Sequence, residues 1–232
     1  MGTVCHNCHH SEFLGVECAW PAPGCIDRTT TTRRQRWLSW GIKAVAIVSL
    51  LLAVLQFGQA GYIQAKAWLA QTLISQAWQK TLAGQTQVKP WPWADTWPVA
   101  RLRVPARGVD LYVLAGSQGR TLAFGPGHVF GTADPGEAGN SVIGGHRDTH
   151  FAFLQWLQAG DAVAVEMPSG EVATYQVTEQ RVVDKDDTGV MAPVYDAPRL
   201  TLVTCYPFDA LRAGGPLRYV VTAEPVAPGT AM

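Results

Sequence analysis

Cys205 is the residue of this sequence with the clearest potential for chemistry. It ends an apolar run in "RLTLVTCYPF", residues 199–208, and the other four of the five cysteines all lie within the first 25 residues. A thiol becomes a strong nucleophile when a neighbouring base or cation favours its thiolate form. The sequence therefore makes Cys205 a candidate nucleophile; the alternative is a small buried side chain in a strand.

A base and a cation are available in other parts of the chain. His146 in "VIGGHRDTH" follows an apolar strand and a Gly-Gly pair, and histidine is the side chain best suited to proton transfer near neutral pH. Arg218 in "GGPLRYVV" begins the apolar run after Cys205. If these two strands are antiparallel neighbours, the guanidinium lies beside the thiolate or a scissile carbonyl, and its N–H donors suit an oxyanion. Together the three residues predict one site, although a structural histidine and a solvated arginine are the alternatives for each alone.

Two nearby residues leave alternatives open. Arg212 lies only seven residues beyond Cys205 and competes with Arg218, but its setting, "DALRAGG", is typical of a loop, which favours Arg218. Asp148 either orients the imidazole of His146 or caps the helix that follows, since Asp is a good N-cap.

Other histidines are weaker candidates. His150 lies four residues after His146, a spacing typical of metal ligands on a helix, but Gly144 and Gly145 argue against a helix, so no zinc site is expected there. We expect His128, in "GPGHVFG", to be a loop residue near the cleft. This segment is Gly-rich but lacks the lysine of a phosphate-binding loop, so nucleotide binding is not expected.

The elements that must position these residues are mostly strands. From about residue 99, short runs rich in β-branched and aromatic residues alternate with Gly, Pro, Asp and Asn, a pattern typical of strands. The runs are "VARLRVPA", "VDLYVLAG", "NSVIGGH", "DAVAVEMP", "EVATYQVTEQRVV", "RLTLVTC" and "LRYVVTAEPV". Strands in this number and spacing predict a closed barrel or a sandwich. One short helix is expected in "HFAFLQWLQAG", with Phe153, Leu154 and Leu157 on one face and Gly160 at its end.

An uncharged run, Ala44 to Ala65, precedes the strands. Because about 20 mostly apolar residues cross the hydrocarbon core of a bilayer, this run predicts a transmembrane helix. Basic residues are concentrated on its N-terminal side, so the positive-inside rule places the N-terminus in the cytoplasm. These residues are Arg28, Arg33, Arg34, Arg36 and Lys43. The alternatives are a buried core helix and a signal peptide cleaved near "GQA" at 58–60.

Two segments connect this run to the strands. Residues 60–83 have a helical spacing of apolar residues without proline, which predicts that the membrane helix continues until Gly84 can end it. Residues 89–98, "KPWPWADTWP", are rich in Pro and Trp, and we expect a linker that docks on the domain. In the exported domain, a lone cysteine is either an intermolecular bridge or a free, reactive thiol.

The N-terminal segment has its own cysteines, Cys5, Cys8, Cys18 and Cys25. In a reducing cytoplasm they are candidate zinc ligands, although the second pair is widely spaced, nearby histidines offer alternative ligands, and a mis-assigned start codon would remove the segment. No cofactor is expected for the exported domain, and the acidic cluster "DKDD" at 184–187 leaves calcium binding open. A formal net charge of zero gives no electrostatic reason to expect nucleic acid as a partner.

The arrangement resembles the sortase family, the membrane-anchored cysteine transpeptidases. "TLVTC" at 201–205 looks like the family's TLxTC signature, Arg218 lies thirteen residues beyond Cys205, and His146 in "GGHRDTHF" is similar to the family's catalytic histidine. The likeness is closest to the sortases of Gram-negative bacteria (class GN, the marine proteobacterial type), which carry "GHRDTHF", "TCYPFDA" and "GGPLRYVV" almost as written here. It covers roughly residues 60–226.

The resemblance implies a mainly β fold. This fold is an eight-stranded sortase-like barrel with one or two short helices, preceded by a long transmembrane helix. The resemblance places Cys205, His146 and Arg218 at the rim of the barrel. With the membrane topology, the expected divisions are a cytoplasmic Cys/His-rich segment (1–39), the transmembrane helix (40–65), an extracytoplasmic helix and linker (66–98), the catalytic barrel (99–226) and a tail (227–232). The protein would be a single-pass protein of the inner (plasma) membrane with a periplasmic catalytic domain.

The resemblance also implies an activity. Cys205 would attack a peptide carbonyl in a C-terminal sorting signal of the LPxTG type, carried by an exported protein, and the resulting thioester would be transferred to an amine on a second molecule. His146 would act as general acid and base, Arg218 would bind substrate and stabilise the oxyanion, and Thr204 would add a hydrogen bond in the pocket. The alternatives are a membrane-anchored cysteine protease with water as acceptor, and a non-catalytic, membrane-tethered binding domain.

Overall fold

The computed structural model describes residues 28–195, 197–212 and 214–226, with side chains described from residue 37 onward. The candidate zinc ligands Cys5, Cys8, Cys18 and Cys25 and the tail 227–232 lie outside these residues. The chain divides into two compact units at the boundary between Tyr62 and Ile63. The second unit contains all the strands and is the one that positions the site.

A single long helix, α1, spans Arg28–Leu82. Of the helices in the described part of the chain, one, within Trp37–Leu82, is long and apolar enough to cross a membrane. Its large apolar side chains are exposed in the uncharged run, for example Leu55 at 63% and Phe57 at 78%, as lipid-facing residues would be. The prediction that the helix continues beyond residue 65 is confirmed. The helix is followed by Gly84, which has a positive φ of 89° and donates its N–H to the Thr81 carbonyl at 2.9 Å, a conformation that glycine adopts without steric cost.

The last turns of α1 pack on the strands of the second unit. Ile74 and Trp78 are completely buried on one helix face, in agreement with the apolar spacing. The Trp78 ring lies 6.4 Å from that of Tyr112, and the Tyr112 hydroxyl donates to Ser75 Oγ at 3.1 Å. The last turns of the helix are therefore part of the core of this unit.

The Pro/Trp-rich segment docks as predicted. Ala94 and Thr96 are buried, and the Thr96 hydroxyl donates to the Ala115 carbonyl at 2.8 Å. Trp91 meets Phe124 edge-on, with ring centroids 5.0 Å apart. These contacts fix the chain at the start of the first strand.

Within the described residues, eight strands form a closed barrel in the order β1-β2-β3-β4-β7-β8-β6-β5. β2 pairs with β3, and β4 with β7, in parallel; the other neighbours are antiparallel. The strands are β1 Pro98–Val104, β2 Val109–Ala115, β3 Gly127–His128, β4 Gly139–Gly144, β5 Ala162–Glu166, β6 Val172–Asp184, β7 Pro198–Tyr206 and β8 Leu217–Pro225. The predicted closed barrel is confirmed.

Short helical turns connect the strands. They are the α-helical turn α2, Gly119–Leu122, and the 3-10 turns Pro105–Arg107, Ala152–Trp156 and Thr188–Met191. The short helix expected in "HFAFLQWLQAG" is the 3-10 turn Ala152–Trp156, whose C-cap is Leu157, so the prediction that Gly160 ends it is wrong. Its neighbourhood buries Phe153, Leu154 and Leu157, as the sequence predicted.

Candidate active site

Cys205 lies one residue before the end of β7, on the outer face of the barrel. Leu200 and Leu202 of the same strand are completely buried in the core. Since successive side chains of a strand point to opposite faces, Thr201, Val203 and Cys205 face outward. Cys205 is half-buried and its thiol is free.

Arg218 lies directly across from Cys205. β7 and β8 are antiparallel neighbours, which meets the condition stated for the sequence, and their register pairs Cys205 with Arg218. Residues opposed in this way have Cβ atoms about 4.5–5.5 Å apart and share a face of the sheet. The Arg218 Nη1 donates to the carbonyls of Gly215 and Leu217 at 2.9 Å each. The N–H groups on Nε and Nη2 take no part in these two bonds. The register therefore places Arg218 and Cys205 side by side on the sheet, with Arg218 Nη1 turned to its two carbonyl partners.

His146 comes from the other neighbour of β7. β4 pairs with β7 in parallel from Gly139↔Pro198 to Gly144↔Val203, so His146 and Cys205 each lie two residues beyond the last pair. The ladder continues one step further, because the Gly145 N–H donates to the Val203 carbonyl at 3.1 Å. The His146 side chain is exposed. The register thus brings the histidine turn and the cysteine to the same end of the two strands.

Thr204 and Gly145 fix this turn on β7. The Thr204 side chain is buried, and its hydroxyl donates to the Gly145 carbonyl at 2.7 Å. A Cβ on Gly145 would lie only 2.6 Å from the ring of Phe151, which explains why the residue before His146 has no side chain. Thr204 therefore holds the backbone that carries the histidine.

Asp148 makes a different contact from those predicted. Its exposed carboxylate accepts a hydrogen bond from Arg147 Nε at 3.0 Å. The N-cap of the 3-10 turn that follows is Phe151, without a side-chain cap, so the prediction that Asp148 caps a helix is wrong. The helix begins too late in the sequence for Asp148 to reach its first N–H groups.

The remaining histidines have separate environments. His150 is half-buried, and burial, and secondly the charge of His146, lower the pKa of His150. His128 is not the loop residue that we expected, since it lies in β3 and is buried. Its Nε2 lies 2.9 Å from the Ala133 carbonyl and 3.1 Å from the hydroxyl of Thr132, contacts typical of a structural histidine.

A small cavity extends along the same outer face of β4 and β7. It has a volume of about 220 Å³ and its lining includes Thr201, Arg181, Arg199 and the 3-10 turn of the β6–β7 loop. Asn140 anchors that loop by donating through Nδ2 to the carbonyls of Val190 and Ala192 at 2.9 and 3.2 Å. A larger cavity of about 430 Å³ is lined, in the described part of the chain, by other residues such as Thr81, Trp97 and Met167. We place the site at Cys205, because the chemistry depends on the thiol rather than on cavity size.

Arg147 is the main residue that the sequence did not indicate. Its side chain is only 2% exposed, although it follows the exposed His146. Its guanidinium donates to backbone carbonyls of the segment after β7, and such partners leave no trace in a pattern of side chains. The only sequence signal is an arginine beside a candidate catalytic residue, which is equally typical of a solvated turn.

No metal-binding cluster accompanies the thiol. Among the described residues, no group of three or more His, Cys, Asp or Glu side chains is placed to hold a metal ion. In the acidic segment 184–187, Asp187 accepts a hydrogen bond from the Gly189 N–H at 2.8 Å and Asp184 one from the Asp186 N–H at 2.9 Å. These carboxylates shape the loop.

Comparison with known proteins decides the family. Residues 102–226 match the Sortase domain family, a range that covers more than half of the chain and includes His146, Cys205 and Arg218. The chain belongs to the sortase family. The family resemblance seen in the sequence is thereby confirmed.

Individual sortases agree with this assignment. Sortase D of Bacillus subtilis is 34% identical over 125 residues, which are 54% of this chain and 62% of that protein; the match thus spans less than two thirds of the relative. The structure of a Clostridium perfringens sortase D5 transpeptidase has a TM-score of 0.52 at 28% identity, over 66% of this chain and 89% of that one. Sortase A from Corynebacterium diphtheriae has a TM-score of 0.53 at 26% identity, over 68% and 84%.

Proposed function

We propose that this sortase is a membrane-anchored cysteine transpeptidase that cleaves the C-terminal sorting signal of an exported protein and joins the protein to an amine. Cys205 is the nucleophile, His146 the general acid and base, and Arg218 the group that binds substrate and stabilises the oxyanion. The observation that carries the proposal is the register that pairs Cys205 with Arg218 on the outer face of the barrel. An arginine in that position can donate to a carbonyl that reaches the sulfur.

The first half of the reaction forms a thioester. The Cys205 thiolate attacks a peptide carbonyl carbon, a C–S bond forms, and the carbonyl electron pair moves to oxygen. Arg218 donates to this oxyanion, an interaction that strengthens as the negative charge develops. When the intermediate collapses, the C–N bond breaks and the leaving amine takes a proton from protonated His146.

The second half transfers the acyl group. Neutral His146 accepts a proton from the incoming amine as its nitrogen attacks the thioester carbonyl. A C–N bond forms, the C–S bond breaks, and the sulfur leaves as the thiolate. Thr204 supports both halves indirectly, because its bond to the Gly145 carbonyl holds the backbone immediately before His146.

The outer face of β7 supports a polypeptide as the substrate. The cavity of about 220 Å³ includes Thr201 in its lining, and Thr201 is four residues before Cys205 on the same face. At a rise of about 3.3 Å per residue, the two residues are about 13 Å apart. A substrate that contacts both points is an extended peptide several residues long.

The membrane topology and subgroup complete the proposal. Residues 40–65 form the anchor, residues 1–39 face the cytoplasm, and the linker 66–98 and the barrel 99–226 lie in the periplasm. The long apolar helix and the basic residues before it support this orientation. The segments "GHRDTHF" and "TCYPFDA" support a place among the sortases of Gram-negative bacteria.

One experiment separates transpeptidation from its alternatives. The full chain in detergent is incubated with a set of LPxTG-type peptides, with and without triglycine, and the products are identified by mass spectrometry. We expect a new amide between the peptide fragment and triglycine, and no product with Cys205→Ala. Hydrolysis alone, even at high triglycine concentration, would favour a cysteine protease. Processing by Cys205→Ala would remove the catalytic role of the thiol.

A further inference from the structure

Arg147 is a buried cation beside the proposed general acid and base. Burying a charge is unfavourable unless the charge is paired and hydrogen-bonded, and the Arg147 side chain is only 2% exposed. Its Nε donates to Asp148 Oδ1 at 3.0 Å, which supplies the ion pair. The other guanidinium nitrogens donate to the backbone of a distant segment, so the residue joins two parts of the chain.

That segment, residues 207–212, leaves β7 directly after Cys205 and Tyr206. Arg147 Nη1 donates to the Pro207 carbonyl at 2.8 Å, and Nη2 donates to the carbonyls of Ala210 and Arg212 at 2.6 Å each. Three carbonyls within six residues therefore depend on one side chain. We call residues 207–212 the clamped segment.

Leu211 lies between the last two clamped carbonyls of this segment. The residues on either side of it, Ala210 and Arg212, turn their carbonyls to the same nitrogen of Arg147, whereas the Leu211 side chain is 103% exposed. A fully exposed leucine on a flexible loop can fold back onto its own backbone. Here the clamp holds both flanking carbonyls and leaves the apolar side chain in solvent, a few residues from the reactive thiol.

We propose that Arg147 is a positioning residue that fixes the clamped segment and thereby presents Leu211 to an apolar side chain of the peptide substrate. This inference rests on the proposed function, since it needs a peptide bound at Cys205. The peptide is the occupant that the surroundings support, because the loop between β6 and β7, which lines the cavity farther along β7, also exposes apolar side chains. These are Met191, 40% exposed, and Tyr195, 82% exposed. A peptide lying along β7 to Cys205 would have apolar side chains close by both beside the cavity and beside the thiol.

Steady-state kinetics of the full chain in detergent test this inference. The substrate is the LPxTG-type peptide with the highest turnover in the assay above, at saturating triglycine. We expect Leu211→Ala to raise KM for the peptide about tenfold with little change in kcat, since it removes a contact made equally in the ground and transition states. Arg147→Gln should raise KM by at least as much. Arg147→Lys should lie between Arg147→Gln and the wild type, because lysine keeps the charge but not the forked donors.

A double-mutant cycle distinguishes positioning from a general loss of structure. If Arg147 acts through Leu211, the variant carrying both Leu211→Ala and Arg147→Gln has the KM of Arg147→Gln alone; independent effects would multiply. Lys89→Gln, which removes an exposed positive charge on the linker, is the control and should leave KM unchanged.

Four outcomes would overturn the inference. The first is a KM of Leu211→Ala equal to that of the wild type, and the second is multiplication of the two single-variant effects on KM in the cycle. The third is a change in the KM for triglycine alone, and the fourth is a Leu211→Ala variant in which only kcat changes. Because Leu211 is exposed, its replacement by alanine should leave the fold intact, so Leu211→Ala still tests the inference if Arg147→Gln does not fold. If the wild type itself shows no Cys205-dependent turnover, the proposed function fails; if the wild type is active and Leu211→Ala matches it, only this inference fails.

Discussion

The two ends of the strand pair β4–β7 carry polar side chains on the same outer face but use them differently. At the end near Asn140, the Thr201 hydroxyl donates to Asn140 Oδ1 at 2.7 Å, and the Asn140 amide donates to two carbonyls of the β6–β7 loop. Both side chains are buried. About 13 Å away at the strand rise of about 3.3 Å per residue, Cys205 is half-buried with a free thiol, and His146 is exposed.

The difference shows where this fold can keep reactive groups. Where the two strands pair and a loop covers them, each buried polar group needs a partner, because an unpaired one is costly. Beyond the last β4–β7 pair, the side chains remain accessible while the hydrogen bonds of Gly145 and Thr204 still hold the backbone. We infer that the Asn140–Thr201 contact at this closed end serves stability, even where the cavity beside it receives the peptide, and that the open end serves the bond-breaking chemistry.

The largest expected effect is at the open end. Cys205→Ala should abolish peptide processing, a loss of at least about a thousandfold, because the nucleophile is gone. The free energy of unfolding should change by no more than about 1 kcal/mol, the typical scale for one substitution. Peptide turnover and urea denaturation measure the two quantities. A large loss of stability would contradict the division between the two ends.

Arg218→Lys should lower kcat by about 100-fold, the scale for loss of one well-placed oxyanion donor. Lysine keeps the charge but cannot reproduce the planar fork. The matched control is Arg101→Lys on β1, an arginine that pairs with Asp110 at 2.6 Å and should leave kcat unchanged. Near-normal turnover in Arg218→Lys would reassign the role, with Arg212 as the next candidate.

Asn140→Ala tests the closed end. It leaves the buried Thr201 hydroxyl without its acceptor and two loop carbonyls without their donor, so we expect a loss of about 1–3 kcal/mol in the free energy of unfolding. Asn140→Asp keeps an acceptor for Thr201 but removes the donor, which separates the two contributions. The rate at which iodoacetamide alkylates Cys205 in the folded protein should stay close to that of the wild type. A strong change in that rate would mean that the ends are coupled.

The smallest effect concerns the two neighbouring imidazoles. Burial, and secondly the interaction with His146, lower the pKa of His150; a positive neighbour disfavours a second positive charge. In His146→Gln the pKa of His150 should therefore rise but remain below its ordinary value, because burial, the larger cause, is unchanged. NMR titration of the imidazole C–H resonances measures it. An unchanged titration would show that the imidazoles do not interact.

The sequence predicted the parts of the site that depend on strand pairing. The runs "RLTLVTC" and "LRYVV" follow each other in the sequence, and their pairing as antiparallel neighbours, the condition stated there, places Arg218 opposite Cys205. The apolar spacing of residues 60–83 also predicted that the helix continues beyond the uncharged run. These features follow from local patterns that repeat every two or every 3.6 residues.

The features that the sequence did not predict depend on bonds from side chains to distant backbone carbonyls or on elements too short to give a pattern. Arg147 turns inward because three carbonyls about 60 residues away accept its donors, and backbone carbonyls are present at every position of every sequence. His128 was misplaced because β3 is only two residues long, too short to give a periodic signal. Asn140 was overlooked because an asparagine in a Gly-rich segment is typical of a turn.

The central claim is that Cys205 carries the acyl group between the two substrates. It is tested most directly by intact-protein and peptide mass spectrometry after the full chain is mixed with an LPxTG-type peptide and quenched in acid without triglycine. We predict a mass increase equal to the N-terminal peptide fragment, located on the tryptic peptide that contains Cys205 and removed by hydroxylamine. Peptide cleavage without any adduct on Cys205, or an adduct that persists in Cys205→Ala, would contradict the claim.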